Sequence, residues 1–130
     1  MTEPHHGPTS RSGGWSRAAA VGLGFEAGLL GVAAVAYAMY AFSSPEPEFT
    51  AGLAAFAGIV AMTLVPVARG LARGARWAVS AAVTWQVLLT LAGVAVAGTQ
   101  PLIGSVAAML GVAVGIAVVI AGRDALRPAD

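Results

Sequence analysis

The 130-residue chain contains no cysteine and no lysine, and only 10% of its residues are charged. The absence of cysteine excludes a disulfide framework, a reactive thiolate and a cysteine-ligated metal site. Soluble globular domains have about a quarter of their residues charged, so the low charge argues against that class. The length is that of one domain. The net charge of +1 is divided among separate segments and predicts no binding of nucleic acid.

Histidine is also scarce, since the chain has only His5 and His6, which are adjacent. A metal site needs convergent ligands at defined spacings, and no third histidine, cysteine or buried acid accompanies this pair. We therefore expect adventitious metal binding at most, with no resident metal and no cofactor. No serine, histidine and acid can form a triad, and no glycine-rich stretch has the setting or the lysine of a phosphate-binding loop. The sequence predicts that the protein is not an enzyme.

Apolar residues, in contrast, make up 58% of the chain and are concentrated in four long runs. A helix needs about 20 apolar residues to cross ~30 Å of hydrocarbon, and each run is long enough. The predicted spans are about 18–42, 49–68, 77–97 and 102–121. The sequence therefore predicts an all-α membrane protein with a four-transmembrane-helix bundle at 17–122. The polar segment 1–16 is predicted to be a disordered tail and 123–130 a short tail.

The first run has a competing interpretation as a signal peptide. An arginine-bearing segment precedes it, and Ala36-Tyr37-Ala38 resembles a cleavage site. The apolar regions of signal peptides contain about 7–15 residues, and this run is longer. The sequence therefore favours a span that is retained.

The basic residues predict the orientation of the bundle. All of them lie in segments on one side of the predicted membrane, whereas the 43–48 and 98–101 connections contain none. Arginines in short loops are retained in the cytoplasm, so we expect both termini to be cytoplasmic and the protein to be multi-pass in a bacterial plasma membrane. The arginines are Arg11, Arg17, Arg69, Arg73, Arg76, Arg123 and Arg127. Those near the inner ends either set the topology alone or also bind anionic lipid, Arg69, Arg73 and Arg76 being the main candidates.

Small residues at helical spacing predict where helices meet, because they let backbones approach closely in lipid. The fourth span places Gly104, Gly111 and Gly115 on one face, together with Ala108 and Gly122. The first span does the same with Gly24, Gly28 and Gly31, together with Ala38. Two interpretations remain open: packing between the first and fourth helices, or a face that forms a homo-oligomer.

Glu26 is the only ionisable residue inside a predicted span. Eight residues at 1.5 Å each place it about 12 Å below the cytoplasmic boundary. A carboxyl at that depth is expected to face the bundle interior and to be protonated unless water reaches it. No arginine is within reach. Counting depth on the other helices gives the candidate partners or path-lining residues Thr63, Thr84, Gln86 and Thr90.

Three roles for Glu26 follow from that position. It can hydrogen-bond a neighbouring helix as a structural clamp, exchange protons or cations, or contact another membrane protein. The sequence favours a non-enzymatic structural or accessory subunit. The alternative is a small proton-coupled transporter or channel-like oligomer in which Glu26 carries the proton.

Two families share features with the chain. Four helices and one glutamate in the first, here Glu26, resemble the small multidrug resistance transporters. The aromatic surroundings of that glutamate and the weak arginine bias of some members are missing, so their activity is not carried over. Residues 18–122 more closely resemble small actinobacterial membrane proteins of unknown activity. The likeness rests on Glu26 and on the stretches Arg73-Gly74-Ala75-Arg76-Trp77 and Trp85-Gln86-Val87-Leu88-Leu89. This resemblance implies fold and localisation only.

Overall fold

The computed structural model describes the backbone of residues 12–126 and the side chains of residues 13–123. This part of the chain forms four α-helices and contains no strand. The helices are α1 (Ser12–Ala41), α2 (Pro47–Ala72), α3 (Arg76–Ala97) and α4 (Pro101–Leu126). All four are long and apolar enough to cross a membrane. The predicted all-α fold with four apolar helices is confirmed.

The bounds of α1 differ most from the predicted span. Helix α1 begins at Ser12, so residues 12–16, which the sequence analysis places in a disordered tail, are helical. No proline interrupts the chain between Ser12 and Ala41, and a helix that has been nucleated extends at little cost per added residue. The rest of the predicted tail, 1–11, lies outside the described residues. The other three helices include their predicted spans and extend past them.

Local sequence explains where the helices begin and end. Pro47 and Pro101 stand at the first residues of α2 and α4, where a missing N–H costs nothing. After α2, Gly74 has a φ of +71°, a left-handed conformation that favours glycine. The N–H of Gly74 donates to the carbonyl of Leu71 and that of Ala75 to the carbonyl of Gly70. This pair of bonds is the Schellman motif, which satisfies carbonyls at a helix end.

The four helices form a ring. Helix α1 packs mainly on α2, and α3 mainly on α4, which gives two hairpins. Fewer contacts join the hairpins, through α1 with α4 and α2 with α3. Helices α1 and α3 are therefore diagonally opposite. Half of the residues in the central core cluster are alanines, and the others are Leu23, Leu64, Leu71, Val114 and Val118.

The glycine stripe of α4 packs on α3. A Cβ added to Gly104 would meet the backbone of Ala97, and one added to Gly111 would meet Thr90. A Cβ on Gly115 would lie 3.4 Å from the Cβ of Gln86. These three positions therefore let α3 approach closely, as small residues do in lipid. The partner is α3, whereas the first of the two interpretations drawn from the sequence paired this face with α1.

The glycines Gly24, Gly28 and Gly31 of α1 do not contact the other helices, which is against the interpretation that they pack on α4; the alternative, a face that forms a homo-oligomer, stays a prediction. No atom lies within 4 Å of a Cβ built on Gly24, Gly28 or Gly31. The buried face of α1 carries Leu23 and Ala27 instead. Successive residues of an α-helix are turned by about 100°. Gly24 and Gly28, which follow Leu23 and Ala27, therefore lie on a different face of α1. The contact of α1 with α4 is made at Gly22, whose added Cβ would lie 2.9 Å from Val114.

Candidate functional site

Three polar side chains meet in the middle of the bundle, and we call them the polar cluster: Glu26 of α1 with Trp85 and Gln86 of α3. Trp85 donates from Nε1 to Glu26 Oε2 at 2.8 Å. Gln86 donates from Nε2 to Oε2 at 2.9 Å and to Oε1 at 3.2 Å. Glu26 and Gln86 are each only 3% exposed. The polar cluster joins the two diagonally opposite helices through their side chains.

Helix register explains why these residues meet. Glu26 lies nine residues after Arg17, and Gln86 lies ten residues after Arg76. At 1.5 Å per residue both side chains are about 14–15 Å from the arginines at the same end of the bundle. Glu26 also lies on the face of α1 that buries Leu23 and Ala27. Because Glu26 and Gln86 lie at a similar depth and Glu26 is on the buried face of α1, its carboxyl meets the amide of Gln86.

The fourth helix makes room for Gln86. Its Cβ and Cγ lie against Gly115, 3.4 and 3.8 Å from where that residue would carry a Cβ. An alanine at position 115 would be in ordinary van der Waals contact with the stem of Gln86. The glycine stripe of α4 therefore supports the polar cluster as well as the contact between α3 and α4.

One atom of the polar cluster has no hydrogen-bond partner in the described part of the chain. Gln86 Oε1 is buried and accepts no bond, which is a cost of about 1–3 kcal/mol for a buried polar group. A carboxylate can only accept, whereas a protonated carboxyl also donates one O–H. If the Gln86 amide turned over, that O–H would reach its oxygen. The cluster can thus bind Glu26 in either protonation state with a different orientation of one amide.

The threonines predicted as partners of Glu26 bond to their own helices instead. Thr63 donates to the carbonyl of Val60 at 2.8 Å, and Thr84 to that of Ser80 at 3.0 Å. Thr90 donates to the carbonyl of Gln86 at 2.7 Å. Of the four predicted partners, the structure brings Gln86 alone to Glu26.

The polar candidates border three separate grooves. Thr63 and Thr84 border one between α2 and α3, and Thr90 borders one between α3 and α4. Glu26 and Trp85 border a third, of about 560 Å³, whose other lining residues are apolar. Gln86 borders the second groove together with Thr90, and Trp85 borders both the first and the third. The four predicted path-lining residues are thus divided between two grooves, and neither of these is lined by Glu26.

The described arginines lie at one end of the bundle. Arg17 is near the start of α1, Arg69 near the end of α2, Arg73 in the following turn, Arg76 at the start of α3 and Arg123 near the end of α4. All five side chains are exposed. Arg11, Arg127, His5 and His6 lie outside the described residues. Among the described residues no three histidines, cysteines or acids are grouped to hold a metal.

Trp85 is the member of the polar cluster that the sequence analysis missed as a partner of Glu26. Trp85 lies eight residues into its predicted span, and a buried indole N–H needs an acceptor. Its depth, equal to that of Glu26, is the signal that could have paired them.

The chain matches no protein-family model, no curated protein and no solved structure. The two resemblances drawn from the sequence therefore stay predictions.

Proposed function

We propose that this chain is a multi-pass protein of a bacterial plasma membrane with both termini in the cytoplasm. Support comes from four helices that are long and apolar enough to cross a bilayer and from the described arginines, which share one end of the bundle. The opposite end has Glu46 and Glu48 and no basic residue. Retention of arginine in the cytoplasm orients such a bundle.

The lack of cysteine makes the orientation simple to measure. Single cysteines replace Ser43 and Gln100, at the end without arginine, and Ala72, at the arginine end; all three positions are exposed. A membrane-impermeant maleimide should label Ser43→Cys and Gln100→Cys in intact cells, and Ala72→Cys only after the membrane is opened. The reverse pattern would refute the orientation, and equal labelling of all three before opening would refute insertion.

For its role, we infer a non-enzymatic structural or accessory subunit whose polar cluster clamps the two hairpins together. The observation that carries this inference is the burial of Glu26 under two N–H donors from the diagonally opposite helix. The hairpins otherwise share few contacts. Side-chain hydrogen bonds between membrane helices contribute about 0.6 kcal/mol each on average. The hydrogen bonds of the polar cluster therefore stabilise the bundle modestly, at the junction of the two hairpins, where the helices share the fewest contacts.

A small proton-coupled transporter or channel-like oligomer is the second candidate, and one observation favours it. Glu26 lines a groove of about 560 Å³ as well as bonding to α3. If water entered that groove, the carboxyl could exchange protons with one side of the membrane, and intramembrane acids commonly serve proton relays. The two candidates thus differ in whether the polar cluster is dry.

Infrared difference spectroscopy on the full chain in bilayers separates the candidates, with Glu26→Gln as the reference that isolates one carboxyl band. A clamp predicts a band that does not change between pH 5 and pH 9, and proton flux into proteoliposomes no greater than with Glu26→Gln. A band that titrates reversibly between pH 5 and pH 8, together with flux that Glu26→Gln abolishes, would reject the clamp and support the transporter. Glu46→Gln, an exposed acid, controls for charge.

A further inference from the structure

The groove between α3 and α4 differs from the other grooves in having a guanidinium at one end. It has a volume of about 490 Å³, and Arg123 lines it together with mostly apolar residues. Three of these, Val112, Ile116 and Val119, follow one another along α4 at spacings of four and three. Each remains 46–55% exposed. The groove is therefore mostly apolar, runs along α3 and α4, and has the positive charge of Arg123 at one end.

A second arginine stands at the same end. A Cβ on Gly122 would lie 2.8 Å from Val79 Cγ1, so the last turns of α4 lie beside the first turn of α3. Arg76 begins α3, one helical turn before Val79. It precedes the groove residue Val83 by seven residues, which is two turns, so both lie on the same face. Arg76 and Arg123 are both exposed and lie at the same end of the groove, Arg123 as a lining residue and Arg76 two turns before the lining residue Val83.

The length of the groove suits one lipid chain. From Arg123 to Gly111, the two ends of the α4 lining, twelve residues at 1.5 Å give about 18 Å. One leaflet supplies roughly half of a ~30 Å hydrocarbon core. Gly111 and Gly115 line the deep part of the groove, where α4 packs closely on Thr90 and Gln86 of α3. An acyl chain can therefore lie along the groove while its headgroup stays at the arginines.

We propose that this groove binds one anionic phospholipid, with its phosphate at Arg76 and Arg123 and one acyl chain along Val112, Ile116 and Val119. Charge complementarity selects the occupant. A second copy of the chain would bring its own basic end to the same level, whereas an anionic headgroup neutralises both arginines. Basic sites between helices on the cytoplasmic side of membrane proteins bind anionic headgroups in this way. Gln86 of the polar cluster also lines this groove, but the two arginines do not belong to the cluster. The lipid site rests on the proposed membrane insertion and not on the proposed clamp.

Native mass spectrometry of the full chain in detergent tests the site. The probes are phosphatidylglycerol and phosphatidylcholine with identical acyl chains, titrated separately. The first phosphatidylglycerol molecule should bind at least fivefold more tightly than the first phosphatidylcholine molecule, because each basic group near the headgroup contributes about a factor of five in affinity. Equal affinity for the two lipids would overturn the proposal, as would a dimer that forms and displaces the lipid.

Matched variants locate the binding. Arg123→Gln should weaken phosphatidylglycerol about fivefold and leave phosphatidylcholine unchanged. Arg69→Gln removes the same charge at the same end outside the groove, and should change affinity less than twofold. If the two variants weakened binding equally, the lipid would be sensing a diffuse basic surface, and the site would be refuted.

A second pair of variants tests the chain-binding part without touching the arginines. Val119→Trp fills the groove and should weaken phosphatidylglycerol at least as much as Arg123→Gln. Val32→Trp places the same side chain at an exposed position of α1 and should have no effect. Every variant is first checked for helical content and a single gel-filtration peak. Binding that survives Val119→Trp in the folded protein would show that the acyl chain lies elsewhere.

Discussion

Replacing Glu26 by alanine tests the polar cluster most directly. The change removes the acceptor of two hydrogen bonds, from Trp85 Nε1 at 2.8 Å and from Gln86 Nε2 at 2.9 Å. Bonds of this kind in membrane proteins average about 0.6 kcal/mol and reach about 1.7 kcal/mol. The two together therefore contribute about 1–3 kcal/mol. The amide of Gln86, already with an unpartnered oxygen, would lose its remaining side-chain partner.

The measurement is the free energy of unfolding in bicelles, by steric trapping or by titration with a denaturing detergent. We expect Glu26→Ala to lower it by about 1–3 kcal/mol. Glu26→Gln keeps a carbonyl oxygen that can take the place of Oε2 and accept both of these bonds. It loses the 3.2 Å bond to Oε1, so we expect a loss of about 0.6 kcal/mol. The ordering of the two variants is as informative as their size.

The matched control is Glu46→Ala. Glu46 is exposed and precedes α2 without a side-chain capping bond, so its loss should change stability by less than about 0.5 kcal/mol. If Glu26→Ala were no more destabilising than Glu46→Ala, the hydrogen bonds of the polar cluster would contribute nothing to the bundle. The proposed clamp would then be rejected.

Three further changes test other parts of the structure by the same unfolding measurement. Trp85→Phe removes the indole N–H together with one of the two fused rings, so it should cost at least the roughly 0.6 kcal/mol of the hydrogen bond. Trp77→Phe makes the same change at an exposed indole and should cost less, and equal losses would count against the bond. Gly104→Ala forces a methyl onto the backbone of Ala97 and should cost about 1–3 kcal/mol, whereas Gly28→Ala meets nothing within 4 Å; a neutral Gly104→Ala would contradict the close approach of α3 and α4. Gly74→Ala puts a side chain at a φ of +71° and should cost about 1–2 kcal/mol, and an unchanged stability would mean that the turn after α2 rearranges.

The four helices were predictable because hydropathy is a strong signal over spans of about 20 residues. Which face of each helix is buried in the bundle was harder to predict from the sequence. In α1, small and apolar residues occur all round the helix, so the glycine stripe Gly24, Gly28 and Gly31 did not identify the buried face. In α4, Gly104 and Gly111 did mark a packed face, but their partner is α3. Spacing along one helix gives a face and says nothing about which neighbour it meets.

The polar cluster was also predictable only in part. Depth alone puts Glu26 and Gln86 at one level, and their side chains meet. Depth also selected Thr63, Thr84 and Thr90, which bond to carbonyls three or four residues earlier in their own helices. Threonine can satisfy itself locally in a helix, whereas a carboxyl or an amide at the bundle centre depends on partners from another helix. Side-chain length and self-satisfaction therefore decide which polar residues bridge helices.

The ring arrangement gives the polar cluster a consequence for both candidate functions. Each hairpin holds itself together by extensive packing, and the contacts between hairpins are few. The hydrogen bonds from Trp85 and Gln86 to Glu26 cross that thin junction. A transporter that opened by moving one hairpin against the other would have to break them in each cycle, and a change in the protonation of Glu26 alters which bonds the carboxyl can make. A scaffold would keep them intact. The same three residues therefore act as a fixed clamp in a dry bundle and as a latch in a hydrated one, and access of water to Glu26 is the physical variable that separates the two.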